Sequence, residues 1–337
     1  MNDKQQHQAP RSGAKRLVFI GSGRFGLRCL AEALATPQLG IEGIVTNRET
    51  FSISYRPEGV RNVLYADVAR FASENNIPIR IMDTAMNEPG LIRQISQWRA
   101  DMILMVGWYH MLPPEIRRIA PSYALHASLL PDYSGGAPLV WAMINGETET
   151  GITLFKVADG VDNGPIIAQH RQEIRPDDTI ATLYERIEDS GLKLLREHLP
   201  KIASGQAVCI PQDESLRRTM PQRSPEDGLI DWTRPASVVH DFVRAQTKPY
   251  PGAFTYCDDL KITIWTTRLV PRPATIASGR PGRVESLGQQ DGFWVWCGQD
   301  TGLAVTLTGV DDEDLSGAEC YRRRLGRPGS VLSGGAG

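Results

Sequence analysis

Between residues 16 and 131, short apolar runs alternate with amphipathic stretches, and this alternation restricts the fold more than any other feature of the chain. The apolar runs are "RLVFI" (16–20), "IEGIVTN" (41–47), "IPIRIMD" (77–83), "DMILMVGWY" (101–109) and "YALHASLLP" (123–131). Between them stand "RFGLRCLAEALA", "VLYADVARFASENN" (63–76), "EPGLIRQISQWRA" and "PPEIRRIA", which carry helical spacing. Runs that are apolar throughout suit strands covered on both faces. Strands alternating with helices predict an α/β fold, a doubly wound parallel sheet. Such sheets take ligands outside the carboxyl ends of their strands, and His126 falls at such an end.

The pattern continues and then changes. "GAPLVWAMING" reads as a helix stopped at Asn145-Gly146, followed by strands at "GITLFKVA" (151–158) and "PIIAQHRQEI" with the tight turn "DGVDNG" between them. A long helix starts at "DTIATLYERI". Residues 206–223 are polar and broken by prolines, which predicts a linker. Beyond one further helix, "PASVVHDFVRAQ", come closely spaced runs such as "GAFTYC", "LKITIWTTRLV" and "GFWVWC", the pattern of a small β-barrel or sandwich. The expected organisation is a tail over 1–15, a first domain over 16–205, the linker, a second domain over 224–315, and a tail over 316–337.

The 337 residues carry a net charge of −2, which gives no electrostatic reason to expect nucleic acid as a partner. Five scattered cysteines without a C-x-x-C pair suggest neither a zinc site nor a disulfide framework, and no metal is expected. With no apolar run near the ~20 residues of a membrane span, a cytoplasmic location is the expectation.

"GSGRFG" follows a strand and precedes a helix, an arrangement that lets backbone N–H groups meet a phosphate. It makes Gly21, Gly23 and Arg24 candidates for binding substrate. The second strand ends in Thr46-Asn47-Arg48 with no acid for a ribose, which argues against a nicotinamide or flavin. A tight strand-to-helix turn explains the glycines equally well.

His126 precedes a sharply turned loop containing Ser128, Tyr133, Gly135, Gly136 and Pro138, all candidate substrate contacts. Asp162 sits in the second tight turn. A carboxylate beside an imidazole would fix its tautomer, although an aspartate that merely forms the turn fits the same spacing. With no G-x-S-x-G and no H-E-x-x-H, acid–base or electrostatic help to two bound molecules is the remaining chemistry.

The stretch "LHASLLPDYSGGAPLVWAMINGETETGITLFKVADGVDNGPI" resembles the signature of the formyltransferases that use 10-formyltetrahydrofolate. "IDWTRPASVVHDFVRAQTKPYPGAFTY" is similar to the C-terminal domain of the methionyl-tRNA and 4-amino-4-deoxyarabinose enzymes. The likeness spans about residues 16 to 310. It implies an open, OB-like barrel as the second domain and makes His126 and Asp162 the catalytic pair. It implies 10-formyltetrahydrofolate as co-substrate, held by Gly107, Trp108, Tyr109, Met111, Leu112 and Pro113 and by Asp159, Gly160 and Val161. The family pattern has an asparagine two positions before the histidine, where it hydrogen-bonds the formyl oxygen. Here that position is Ala124, which can donate nothing. The expected acceptor is a nucleotide-linked amino-sugar. A charged initiator tRNA and a repurposed or hydrolytic role are the alternatives. Self-association through the C-terminal domain would be compatible with this reading.

Overall fold

The computed structural model describes residues 13–53, 56–82, 85–274, 276, 278–287, 292–327 and 330–334. Most of the tail expected at 1–15 lies outside the described residues. The chain divides into two compact units, one of Met1–Gly135, Gly151–Gln172 and Arg186–Thr219, the other of Gly136–Thr150, Glu173–Glu185 and Met220–Gly337. No helix among the described residues is long and apolar enough to cross a membrane.

The N-terminal elements are β1 (Lys15–Gly21), α1 (Gly23–Leu34), β2 (Leu39–Asn47), a hairpin of β3 (Thr50–Ile53) and β4 (Arg56–Arg61), α2 (Val68–Glu74), β5 (Ile79–Met82), α3 (Pro89–Gln97), β6 (Met102–Val106), α4 (Pro114–Arg117), β7 (Ser122–His126) and β8 (Ser134–Gly135). There follow α5 (Pro138–Ile144), β9 (Glu149–Lys156), β10 (Ile166–Glu173), α6 (Ile180–Ala203) and β11 (Thr219–Met220). The capping chemistry sets the helix starts. Helix α2 begins five residues later than the amphipathic run suggests because Asp67 caps it, accepting the Arg70 N–H at 2.8 Å. Glu88 caps α3 by accepting the N–H groups of Gly90 and Leu91, with Pro89 in the first turn.

The main sheet has the order β5-β2-β1-β6-β7-β9-β10 (read here from the β5 edge). Its pairs β2–β5, β1–β2, β1–β6 and β6–β7 are parallel. The sheet is not wholly parallel as expected: β9 runs antiparallel to β7, with His126 opposite Thr153. Antiparallel neighbours need no crossover, so the 127–148 connection leaves and re-enters the sheet at the same end of the strands. The order turns back between β1 and β6, and their carboxyl ends form the switch point at which such sheets bind ligands. Val18, Ile20, Val45, Ile103 and Leu91 belong to the buried core of this unit.

In the second unit, helix α7 (Ala236–Arg244) precedes β12 (Ala253–Cys257), β13 (Leu260–Arg268), β14 (Val284–Ser286), β15 (Phe293–Trp296), β16 (Gly302–Val310), β17 (Glu313–Ser316) and α8 (Gly317–Cys320). The strands form an antiparallel sheet in the order β12-β13-β16-β15-β14, with β17 on β16. Alternation puts Phe293 and Val295 into one core with Ile262, Ile264, Leu303 and Val305. The segment from 316 is not the expected tail. Cys320, Leu325 and Leu332 are buried in that same core, and Ser333 pairs with Tyr256.

At the amino ends of β1 and β6, Arg16 and Asp101 form a four-contact clamp. Asp101 accepts from the backbone and side chain of Arg16 at 2.8 to 3.1 Å, and its own N–H donates to the Arg16 carbonyl at 2.8 Å. The guanidinium holds the Asp101 carboxyl down at about 2. A folded-state value below the unfolded one means that this group's stability is present near neutrality and lost as pH falls through the folded value. Asp101→Asn is therefore expected to lower Tm by a few degrees at pH 7. In thermal melts at decreasing pH, the gap from the unaltered protein should narrow below about pH 4 and close near pH 2.

Candidate active site

His126 is the last residue of β7, and its side chain is mostly buried. Its Nε2 donates to the Tyr133 carbonyl at 2.8 Å, which places a proton on that nitrogen. Nδ1 faces the Asp162 carboxylate at 3.4 Å, longer than a tight charge-assisted bond. The two residues expected to act together are thus side by side.

The loop after His126 is braced by polar side chains. The Thr153 hydroxyl donates to the Ser128 carbonyl at 2.6 Å and accepts from the Leu130 N–H at 3.2 Å. The Gln169 amide donates to both Leu130 O, at 2.8 Å, and Thr153 Oγ1, at 2.9 Å. Ser128, expected to contact substrate, instead donates to the Asp132 carbonyl at 2.7 Å and is fully buried. Its hydroxyl holds the loop's own backbone. Tyr133 has φ +53°, a left-handed conformation that costs a bulky residue on the order of 1–3 kcal/mol. The loop bears that strain and turns the Tyr133 carbonyl toward the imidazole.

Asp162 also adopts a left-handed conformation, φ +48°, which aspartate tolerates better than most residues. The 157–165 turn folds back over the sheet so that Asp162 Oδ2 accepts the Gly135 N–H at 2.9 Å while facing His126. One oxygen therefore ties the two turns together. Gly160 lies against the Asn163 side chain, and Val161 is exposed. Asp159 forms an ion pair with Arg117, whose Nε also donates to the Leu112 carbonyl at 3.1 Å. Arg117 thus links the two loops expected to hold the co-substrate, a role that nothing in its sequence context marks.

In the first of those loops, Gly107 has φ +61°, and a Cβ there would meet the Ser22 carbonyl at 2.7 Å. Ser22 Oγ donates to Gly107 O at 3.0 Å, so the glycine turn and this loop close on each other. A Cβ on Gly21 would strike the Val106 carbonyl at 2.3 Å, which explains that glycine by packing alone. Tyr109 donates to Asn62 Oδ1 at 3.3 Å, and its ring lies 5.0 Å from Phe51 of the β3–β4 hairpin. That hairpin has only a four-residue alternation, Thr50 to Ile53, to signal it, and sequence reasoning missed it. Tyr109 and Met111 are exposed. Leu112 is a core residue rather than a ligand contact, and Pro113 stands at the N-terminus of α4. Burial pushes the His110 imidazole below its ordinary value, toward the neutral form. Trp108 Nε1, His110 Nε2 and Asn163 Oδ1 are buried with no protein partner.

Several expected substrate contacts are placed elsewhere. Arg24 turns to the buried carboxylate of Glu188, at 3.1 Å, which it shares with Arg28 at 2.7 Å. Its backbone N–H, next to Gly23 at the start of α1, is taken by the Leu64 carbonyl at 2.8 Å. Gly136 and Pro138 belong to the second unit, where the Gly136 N–H bonds the Met220 carbonyl and Pro138 opens α5.

Ala124 is buried with Leu130 and Phe155, and Met105, Val157 and Ile166 pack on the same cluster. Phe155 stands directly opposite it in the β7–β9 register. An amide added at Ala124 would enter an apolar cluster. Ala124→Asn is therefore expected to destabilise the protein by about 1–3 kcal/mol in urea unfolding. An unchanged midpoint with an unchanged m-value would contradict this account of the pocket.

The formyl transferase family model matches residues 15–199, and that of the formyl transferase C-terminal domain matches residues 223–322. Among solved structures, HypX from Aquifex aeolicus superposes with a TM-score of 0.61 at 18% identity, covering 93% of this chain and 48% of its own. The chain thus spans about half the length of the HypX chains it matches. An N-formyltransferase from Helicobacter canadensis, complexed with folinic acid and dTDP-3-aminofucose, gives a TM-score of 0.59 at 17% identity, with 86% of this chain and 98% of that one covered. A sugar N-formyltransferase from a Shewanella species gives 0.57 at 14% identity, with coverage of 71% and 92%. At these identities the likeness concerns the fold. The matched family models extend across both domains, and the chain belongs to the formyl transferase family.

Proposed function

We propose that this chain moves a formyl group from 10-formyltetrahydrofolate to the amine of a nucleotide-linked amino-sugar. The observation that carries the reading is His126 held between the Tyr133 carbonyl and the Asp162 carboxylate in a formyl transferase domain. The tight Nε2 contact fixes the ring, and the loose Nδ1 contact leaves that nitrogen to serve the reaction. The co-substrate supplies an activated formyl carbon. As the amine attacks and the formyl carbon's bond to the folate nitrogen breaks, His126 Nδ1 takes the amine proton and returns it to that departing nitrogen, and Asp162 stabilises the ring while it carries two protons. With Ala124 offering no donor, a charged His126 is the group proposed to meet the formyl oxygen.

The proposed co-substrate suits the loops. The unpartnered Trp108 N–H, His110 Nε2 and Asn163 Oδ1 offer donors and acceptors for a flat heterocycle. Tyr109, Met111 and Val161 offer exposed apolar surface beside them. The Helicobacter canadensis enzyme supports the acceptor class, since its complex holds a dTDP-amino-sugar and the present chain covers nearly all of it. The arginines that an RNA acceptor would need are engaged. Arg217 pairs with Glu214, Arg218 with Asp132, and Arg223 bonds Asp227 O and Gln246. No cluster of cations is thereby left in this stretch for a phosphate backbone.

Purified protein with 10-formyltetrahydrofolate is expected to formylate dTDP- or UDP-linked amino-sugars and to leave charged initiator tRNA untouched. Formylation of the tRNA alone would replace this acceptor. His126→Ala and Asp162→Asn should each reduce kcat by on the order of 10²–10⁴. The double variant should be little worse than the poorer single one, because the two act as a unit. Additive losses would separate them.

A further inference from the structure

Residues 212–218 lie in the stretch expected to be a plain linker, yet within the first unit they grip both turns that carry the proposed catalytic pair. On the Asp162 side, Gln212 donates to the carbonyls of Asp162 and Gly164, both at 2.7 Å. Arg217 donates to Gln212 Oε1 at 3.0 Å and to the Val161 carbonyl at 3.3 Å. Glu214 orients Arg217 from the other side at 2.5 and 2.8 Å.

On the His126 side, Arg218 forks onto Asp132, with Nε to Oδ1 at 2.6 Å and Nη2 to Oδ2 at 2.5 Å. Its guanidinium also lies over the Tyr133 ring, 4.6 Å from the centroid. Asp132 Oδ1 accepts the Tyr133 N–H at 2.9 Å, and the Ser134 N–H donates to the Arg218 carbonyl at 3.0 Å. One arginine therefore touches residues 132, 133 and 134, and the middle one presents its carbonyl to His126 from a left-handed backbone. A planar, two-point donor that also stacks holds such a conformation better than a point charge does.

We propose that residues 212–218 form a positioning strap, in which Arg218 sets the His126 ring through Tyr133 and Gln212 sets Asp162. The proposal deepens the formyl-transfer reading and rests on it. Both are positioning residues, Arg218 acting through Asp132 and Tyr133 and Gln212 through the Asp162 carbonyl. Their effect should appear in turnover rather than binding, because small misplacements of a working group are costly in rate.

The test follows the proton on His126 Nε2 by NMR of the labelled histidine ring, together with steady-state kinetics. Arg218→Met is expected to speed exchange of that proton with water and to lower kcat, each by about tenfold, with both KM values within about twofold. Arg218→Lys should recover part of kcat, since it restores charge without the fork. Gln212→Leu should lower kcat and leave the Nε2 proton exchange unchanged, because it acts on the Asp162 turn. Thermal melts establish that each variant is folded. If Arg218→Met does not fold, Asp132→Asn and Arg218→Lys carry the same comparison. The strap is overturned if folded Arg218 variants leave exchange and kcat within about twofold. It is also overturned if kcat falls with KM rising in parallel and exchange unmoved. Should the unaltered protein transfer no formyl group, the exchange measurement still decides the strap, and the functional reading alone fails.

Discussion

A single buried hydroxyl underlies the site. Thr153 sits opposite His126 on the neighbouring strand and is fully enclosed. Its oxygen serves Ser128, Leu130 and Gln169 at once. Without it, the backbone of a proline-broken loop would be buried with unmet polar groups, each costing about 1–3 kcal/mol. With it, the loop can dip beside the sheet and return a carbonyl to the imidazole. The Asp162 turn then docks on the same loop through Gly135. The order of dependence runs from strand pairing, through one hydroxyl, to the position of a proton.

Much of this was legible in the sequence, because it depends on period and on rigid residue types. The runs from Leu17 to Ile20 and from Met102 to Val106 became buried central strands, as continuous apolar stretches should. The pairing of His126 with Asp162 was implied by the family resemblance, since the spacing alone also fits a turn-forming aspartate, and the structure sets the two side by side. The less legible parts depend on side chains whose role comes from distant partners. Gln169, Gln212 and Arg218 are ordinary polar residues in their own neighbourhoods, and only the closed sheet shows what each one holds. The spacing of "GSGRFG" fits a tight strand-to-helix turn as well as a phosphate cradle, and the close approach of the Val106 carbonyl accounts for Gly21 by the turn. The segment from 316 looked like a tail because its apolar residues, Cys320, Leu325 and Leu332, are too widely spaced for a periodic pattern.

The site also shows a division between polar and apolar support on one strand. Ala124 and His126 project from the same face of β7, two residues apart. The first is set among aliphatic and aromatic neighbours, and the second between a carbonyl and a carboxylate. On this strand the polar chemistry falls to His126 alone, where the pattern of the resemblance would set an asparagine amide beside it.

The long reach of the support has a consequence for how the protein is made. The parallel strands and both turns have been synthesised by about residue 165, whereas Gln212 and Arg218 are added some fifty residues later. At about 5–20 residues per second, seconds separate the synthesis of the strained Tyr133 loop from that of the residues that contact it. A chain truncated before 212 would lack the contacts through which the proposed strap reaches the Tyr133 and Asp162 turns.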